Sequence, residues 1–254
     1  ILSNLGKQIH MYCALDMPDY LKYLSGWDRV EKEMPIKFDL SIIVDTSSIS
    51  LLDKLDKSAQ KSLIAKKPCV VIDHHEGVDC DIPYVTDILN DSGKVSTGEV
   101  IYNIAKIADW KLTRAANEFI ANSILADSLN LTSNNTTSDT YRVMADLIDN
   151  GVDRPKLEEA RREYSKMQPE IFRYKAKLIE RTELLLDDKL AYVSIPQSEI
   201  NTYSPLYNPG PLIQGDHLQT LGVQISLVLK VYDGGRITAT IRSSNSAPIA
   251  AKLA

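Results

Sequence analysis

Residues 67–75, Lys-Pro-Cys-Val-Val-Ile-Asp-His-His, constrain this chain more than any other stretch. Cys69, Val70, Val71 and Ile72 form a continuous apolar run, rich in β-branched residues and without polar alternation. That pattern predicts a short strand covered on both faces, as in a parallel sheet between helices. The run stops at Asp73, His74 and His75, and Glu76-Gly77 opens a loop. In open α/β sheets, ligands sit in the crevice beyond the carboxyl ends of the strands. One carboxylate and two imidazoles placed there suit a borderline or hard divalent cation. The alternative is a turn that merely contains two histidines. Half of the chain's 4 histidines fall in this pair, which favours the chemical explanation.

Two further segments bear on the same crevice. Residues 38–46 read as a second strand, with Leu40, Ile42, Ile43 and Val44 ending at Asp45, then Thr46, Ser47 and Ser48. Asp45 alone could be the cap of a helix over 51–63. Two strands of one sheet that both end in Asp place both carboxylates at one crevice. Residues 113–127 predict a helix, with Ala116, Ile120, Ile124 and Asp127 on one face of a 3.6-residue period. An inward Asp127 must be neutralised, paired or coordinated. A helix-terminal Asp turned to solvent fits the sequence equally well.

The other segments are read as scaffold. Residues 1–6 end a helix at Gly6, 8–14 form a short strand, and 82–87 an edge strand. A helix over 16–26 carries Tyr20, Leu21 and Leu24, with Asp16 and Asp19 as caps. Ser96-Thr97-Gly98-Glu99 fits a capping box in which Glu reaches back to Ser, opening a helix to about residue 108. Another helix spans 136–150 and closes at Gly151. The charged segment 154–187, with Tyr164, Met167, Ile171, Tyr174, Leu178 and Leu184 as an imperfect stripe, reads as a linking helix broken by Pro155 and Pro169. Strands follow at 190–195, 223–232 and 236–242, the last two a hairpin turning at Asp233-Gly234-Gly235. Alternation sets Ile237, Ala239 and Ile241 against Thr238, Thr240 and Arg242, so Arg242 lies on a polar face beside Ser243, Ser244 and Asn245. A strand-end Arg is either a solubilising charge or a bidentate phosphate clamp.

Composition narrows the partners. A net charge of -5 over 254 residues argues against a broad grip on long duplex nucleic acid. Cys13, Cys69 and Cys80 have no metal-type spacing and read as reduced thiols, which suits the cytoplasm. No stretch reaches membrane-spanning length. The chain starts at Ile1 and stops at Ala254 inside a predicted helix, which reads as a fragment at both ends.

Taken in order, Val44-Asp45-Thr46, Asp73-His74-His75, the helix-end Asp127 and Ile241-Arg242-Ser243 resemble the DHH phosphoesterase family. Within it the layout is most similar to the bacterial oligoribonuclease (nanoRNase) and pAp phosphatase branch. The resemblance implies an α/β fold: a parallel-sheet domain with helices on both faces over 1–153, a linking segment over 154–187, and a smaller mixed α/β domain over 188–254. It also implies a manganese-dependent hydrolase, with Mg2+ as an alternative ion, acting on short oligonucleotides, dinucleotides or adenosine 3′,5′-bisphosphate. Asp45 would bridge two ions about 3.5–4 Å apart, and His74 and Asp127 would complete one shell. Asp73 would orient, His75 would contact the scissile phosphate, and Arg242 with Ser243 would bind substrate phosphate. A homodimer is compatible with the family. The family's first motif, a His and an Asp-x-Asp pair, has no match here, nor does its C-terminal Gly-Gly-Gly-His loop. As written, the polypeptide is therefore expected to be inactive, and the activity belongs to its parent. A nucleotide-binding module without catalysis and a pyrophosphatase of the same superfamily are the competing expectations.

Overall fold

A short parallel sheet does most to position the site. The computed structural model describes residues 1–57, 61–77 and 79–244, and divides into two compact units, Ile1–Ser165 and Lys166–Ala254. In the first unit, β1 (Met11–Tyr12) and β2 (Val30–Glu31) make a two-residue parallel pair. The main sheet has the order β3 (Ser41–Val44), β4 (Cys69–Asp73), β5 (Asp87–Asn90), all parallel. Cys69 and Val71 are fully buried beneath Leu55 and Ile64, contributed by the short helices α1 (Asp53–Asp56) and α2 (Lys61–Ile64). The opposite face is less covered: Val70 and Ile72 are half-buried, while Ile42, Val44 and Leu89 are exposed.

Helices α3 (Thr97–Ile107), α4 (Arg114–Asp127) and α5 (Ser138–Asp149) share one apolar cluster, with Ile120, Ile124, Val143 and Leu147 at its centre. α4 begins one residue after the predicted start because Thr113 caps it, accepting from Ala116 N–H. Of the predicted stripe of α4, Ile120 and Ile124 are buried, Ala116 is half-buried and Asp127 is exposed. Helix α6 (Arg154–Tyr164) buries no residue and closes the first unit.

Several expected elements are shorter or displaced. Residues 16–26 contain only a 3-10 turn, Asp19–Leu21, without a side-chain cap; Asp16 instead pairs with Lys32 and Asp19 with Lys22. The helix expected over 51–63 breaks into the 3-10 turn Ile49–Leu52, α1 and α2. The edge strand lies at Asp87–Asn90, not 82–87, because Ile82 and Tyr84 are drawn into the core as irregular chain. At Ser96 the box is half-formed: Ser96 Oγ accepts from Glu99 N–H, but Glu99 Oε2 accepts from Val95 N–H and not from Ser96. The reciprocal arrangement occurs instead at Thr137 and Thr140.

The linking segment expected over 154–187 is split between the units, with α6 in the first and α7 (Pro169–Glu180) in the second. Pro155 and Pro169 stand in the first turns of the two helices, where a missing N–H costs nothing. The second unit has a four-stranded sheet, β6 (Glu183–Leu185), β7 (Leu190–Pro196), β8 (Ile225–Val231), β9 (Ile237–Ser243), with β7 and β8 parallel and both edges antiparallel. Helices α7, α8 (Gln197–Tyr203) and α9 (Pro209–Gln219) bury Ile171, Tyr174, Leu178, Ile200 and Ile213 with Val193, Ile195 and Val228. His217 of α9 is enclosed between Ser226 (Nδ1, 2.7 Å) and Thr182 (Nε2, 3.0 Å), and burial pushes its pKa below the ordinary value. It is an interior histidine.

The hairpin turn takes positive φ at Gly234 and Gly235, as its sequence demands. Thr238, Thr240 and Arg242 share a face, the one turned toward α9. Register pairs Thr240 with Val228 and Arg242 with Ser226, and Gln214 of α9 donates to Thr240 O. Ile237 and Ala239 face outward and are exposed. α9 packs against this face at Thr240, which is half-buried and which a Cβ on Gly210 would meet at 3.3–3.4 Å, while Thr238 and Arg242 are exposed. Asn245 and the helix expected at the end of the chain lie outside the described residues. No helix among the described residues is long and apolar enough to cross a membrane.

Candidate metal centre

Strands β3 and β4 end side by side, Val44 opposite Ile72, and each delivers an aspartate. Asp45 N–H still donates to Ile72 O at 3.0 Å, after which the backbone turns off the sheet at a φ of 66°. Asp tolerates this left-handed conformation better than most residues. The Asp45 side chain is 56% exposed and accepts one hydrogen bond, from Thr97 Oγ1 at 2.7 Å.

Asp73 is wholly buried, and its carboxylate is held by hydrogen bonds. Ser47 Oγ donates at 2.6 Å, His74 N–H at 2.8 Å, His75 N–H at 3.4 Å and His75 Nδ1 at 2.7 Å. Three of these donors converge on Oδ1 and Ser47 alone meets Oδ2, and burial closes both oxygens to solvent. Burial pushes the Asp73 carboxyl up, but hydrogen bonds from Ser47, His75 and the His74 backbone outweigh it and hold the group below the usual range. The same contact orients His75: with Nδ1 on Asp73, Nε2 is left to face outward. The Asp73 hydrogen bond raises the His75 pKa above the ordinary imidazole value against the opposing effect of burial.

His74 is turned the other way. Its Nδ1 lies 3.4 Å from Lys94 O, a contact only an Nδ1–H can make favourably, which leaves Nε2 as the nitrogen facing the acids. That nitrogen stands 3.5 Å from Asp45 Oδ1 and 4.0 Å from Asp127 Oδ2. Ligands around one octahedral cation sit about 3 Å apart, so both carboxylate oxygens stand wider of His74 Nε2 than a closed shell would hold them. Asp127 is the last residue of α4, its side chain 38% exposed. Burial and then the Asp45 charge push its carboxyl above the usual range, with His74 and His75 pulling it back.

Asp45, His74 and His75 form a second grouping, each with a ligand atom within 4.8 Å of the others. With Nδ1 donating to Asp73, the His75 nitrogen left for an ion or a phosphate is Nε2. Asp45 and His74, with His75 or Asp127 beside them, are the residues available to a divalent cation, through carboxylate and oriented imidazole.

The fold is shared with an exopolyphosphatase-related protein of Bacteroides fragilis. That solved structure aligns over 96% of this chain and 72% of its own, with a TM-score of 0.80 and 16% identity. Identity that low speaks to the fold alone. A putative family II inorganic pyrophosphatase of Methanococcus jannaschii covers 91% of this chain and 77% of its own at 17% identity, and its TM-score of 0.44 carries no argument. No protein-family model and no curated protein matches the chain.

Within this shared fold, the structure brings together Asp45, Asp73, His74, His75 and Asp127. Arg242 and Ser243 lie on β9 of the second unit, where Arg242 is exposed. Sequence reasoning missed Ser47, which holds Asp73, and gave Thr97 a purely structural role. Ser47 follows Asp45 by two residues, and a hydroxyl that close to a strand-end acid was the available signal. It also missed the backbone after Asp127, where Leu129, Asn130 and Leu131 take φ values of 50°, 60° and 67°. This left-handed turn is held by Ser128 Oγ accepting from Leu131 N–H at 2.8 Å and by Tyr141 OH donating to Leu131 O at 2.9 Å. No single-residue signal marks such a turn when glycine is absent from it.

Proposed function

We propose that this chain carries the metal centre of a hydrolase that cleaves phosphoester bonds in short nucleotide substrates. The observation that carries the proposal is His74 Nε2 facing the Asp45 and Asp127 carboxylates, beside an imidazole held by the buried Asp73. Asp45, His74 and Asp127 would hold a divalent ion, manganese or magnesium by donor type. Such an ion supplies Lewis acidity, lowering the pKa of water and drawing charge from phosphate oxygens. Asp73 fixes the His75 tautomer and keeps its ring protonated to higher pH. His75 Nε2–H then donates to a phosphate oxygen or gives its proton to the leaving oxygen. Arg242 and Ser243 are proposed as phosphate-binding groups of the second unit, by bidentate guanidinium contact.

The substrate is proposed to be a dinucleotide, a short oligonucleotide or adenosine 3′,5′-bisphosphate, handled in the cytoplasm. The name of the Bacteroides fragilis relative favours a second reading, in which the scissile bond is a phosphoanhydride of polyphosphate or pyrophosphate. One assay separates them. The full-length protein with Mn2+ is offered a dinucleotide, adenosine 3′,5′-bisphosphate, pyrophosphate and polyphosphate in parallel. Release of nucleotide products is expected, and turnover of the anhydrides alone would reassign the substrate. Asp45→Ala should abolish metal-dependent hydrolysis with the fold intact. Retained activity in that variant would remove Asp45 from the centre.

A further inference from the structure

We infer that Thr97 is a positioning residue for the metal centre, setting the orientation of the Asp45 carboxylate. The inference rests on the metal-centre assignment above and adds to it a residue that ligates nothing itself. Asp45 needs such a partner. Its backbone has left the sheet, and its side chain is 56% exposed. Among the described residues, Thr97 is the donor to that carboxylate, at 2.7 Å.

The donor, by contrast, is rigidly placed. Thr97 is the first residue of α3, only 5% exposed, directly after the buried cap Ser96. The next residue, Gly98, is pressed against α4: its N–H donates to Ser123 Oγ at 3.2 Å, and a Cβ there would meet Ser123 Cβ at 2.6 Å. Ser123 stands one helical turn before Asp127, so one helix contact locates both the Thr97 hydroxyl and the helix that ends in Asp127. The N-terminus of α3 adds a favourable field for an anion at Asp45. A hydrogen bond uses one lone pair of Oδ1 and leaves the other for an ion. Partners of this kind, one step removed from the ion, typically change metal affinity by about 10–100-fold when removed.

The test uses Mn2+ alone, titrated into the full-length protein and followed by electron paramagnetic resonance, with thermal melting as the measure of folding. Thr97→Val keeps the shape and removes the donor; Thr97→Ser keeps the donor. Thr97→Val is expected to weaken Mn2+ binding by about 10–100-fold, and Thr97→Ser to remain near the parent affinity. Unchanged affinity in Thr97→Val, or equal losses in both variants, overturns the inference, as does a lower melting temperature without a change in affinity. Asp45→Asn separates this result from failure of the centre itself. If Asp45→Asn binds Mn2+ as the parent does, the metal-centre assignment falls and Thr97 with it. If Asp45→Asn loses Mn2+ while Thr97→Val does not, the Thr97 inference alone is wrong.

Discussion

Asp45 and Asp73 end adjacent parallel strands, in near-identical sequence settings, and the fold gives them opposite tasks. Asp73 is sealed and surrounded by four donors, whereas Asp45 stands half in solvent with one. The difference teaches how to divide structural from ligating acids at strand ends: ask which carboxylate the protein leaves accessible. Asp73 is closed to solvent and acts through His75. Asp45 keeps an accessible carboxylate, together with the local strain of a left-handed backbone.

The largest effect that could break this contrast is on stability. Asp73→Ala strands the buried Ser47 hydroxyl and frees the half-exposed His75 ring and the backbone N–H of His74, and should cost about 2–4 kcal/mol in urea unfolding. Asp45→Ala, in the same assay, should change stability by no more than about 0.5 kcal/mol. Equal losses would mean that the two acids do the same work.

A smaller effect concerns pH and the third acid. The Asp73 pKa is depressed, so its contribution is present above the unfolded carboxylate pKa and is lost as pH falls through the folded value. The Asp127 pKa is raised, so the native state binds its proton more tightly, and stability falls as pH rises from the ordinary carboxylate range through the folded value. Without metal, Asp127→Asn should therefore melt higher than the parent near neutrality, an advantage that fades as the buffer is taken to about pH 3. Added Mn2+ should stabilise the parent and not the variant. A variant advantage independent of pH would contradict the charge argument.

The smallest effect sharpens the contrast through strain. Leu129, at a φ of 50° and 68% exposed, occupies a left-handed position with little packing to lose. Leu129→Gly should raise stability by up to about 1 kcal/mol. Asp45→Gly should gain less, because Asp already tolerates that conformation. Calorimetry on the two variants compares them directly, and an equal gain would show that the backbone at Asp45 is as strained as at Leu129.

Much of this was legible in the chain itself. The apolar runs before Asp45 and Asp73 marked two parallel strands, of which β4 is buried on one face and β3 buries no residue, and the Gly-Gly turn announced the β8–β9 hairpin. Local pattern misled where the surroundings overruled it: at 16–26, where ion pairs replace caps; and at 82–87, where Ile82 and Tyr84 are used by the core.

Residue order alone determined which side chains stand at strand and helix ends, because apolar periodicity stops where the element stops. Tertiary structure decided which of those polar ends is sealed and which is open. That Ser47 closes Asp73, that Thr97 reaches Asp45 across 52 positions, and that His74 turns Nε2 toward two acids depend on how helices and strands approach one another. Those distances are set by packing between distant segments, at contacts such as Gly98 against Ser123, and local sequence carries no record of them.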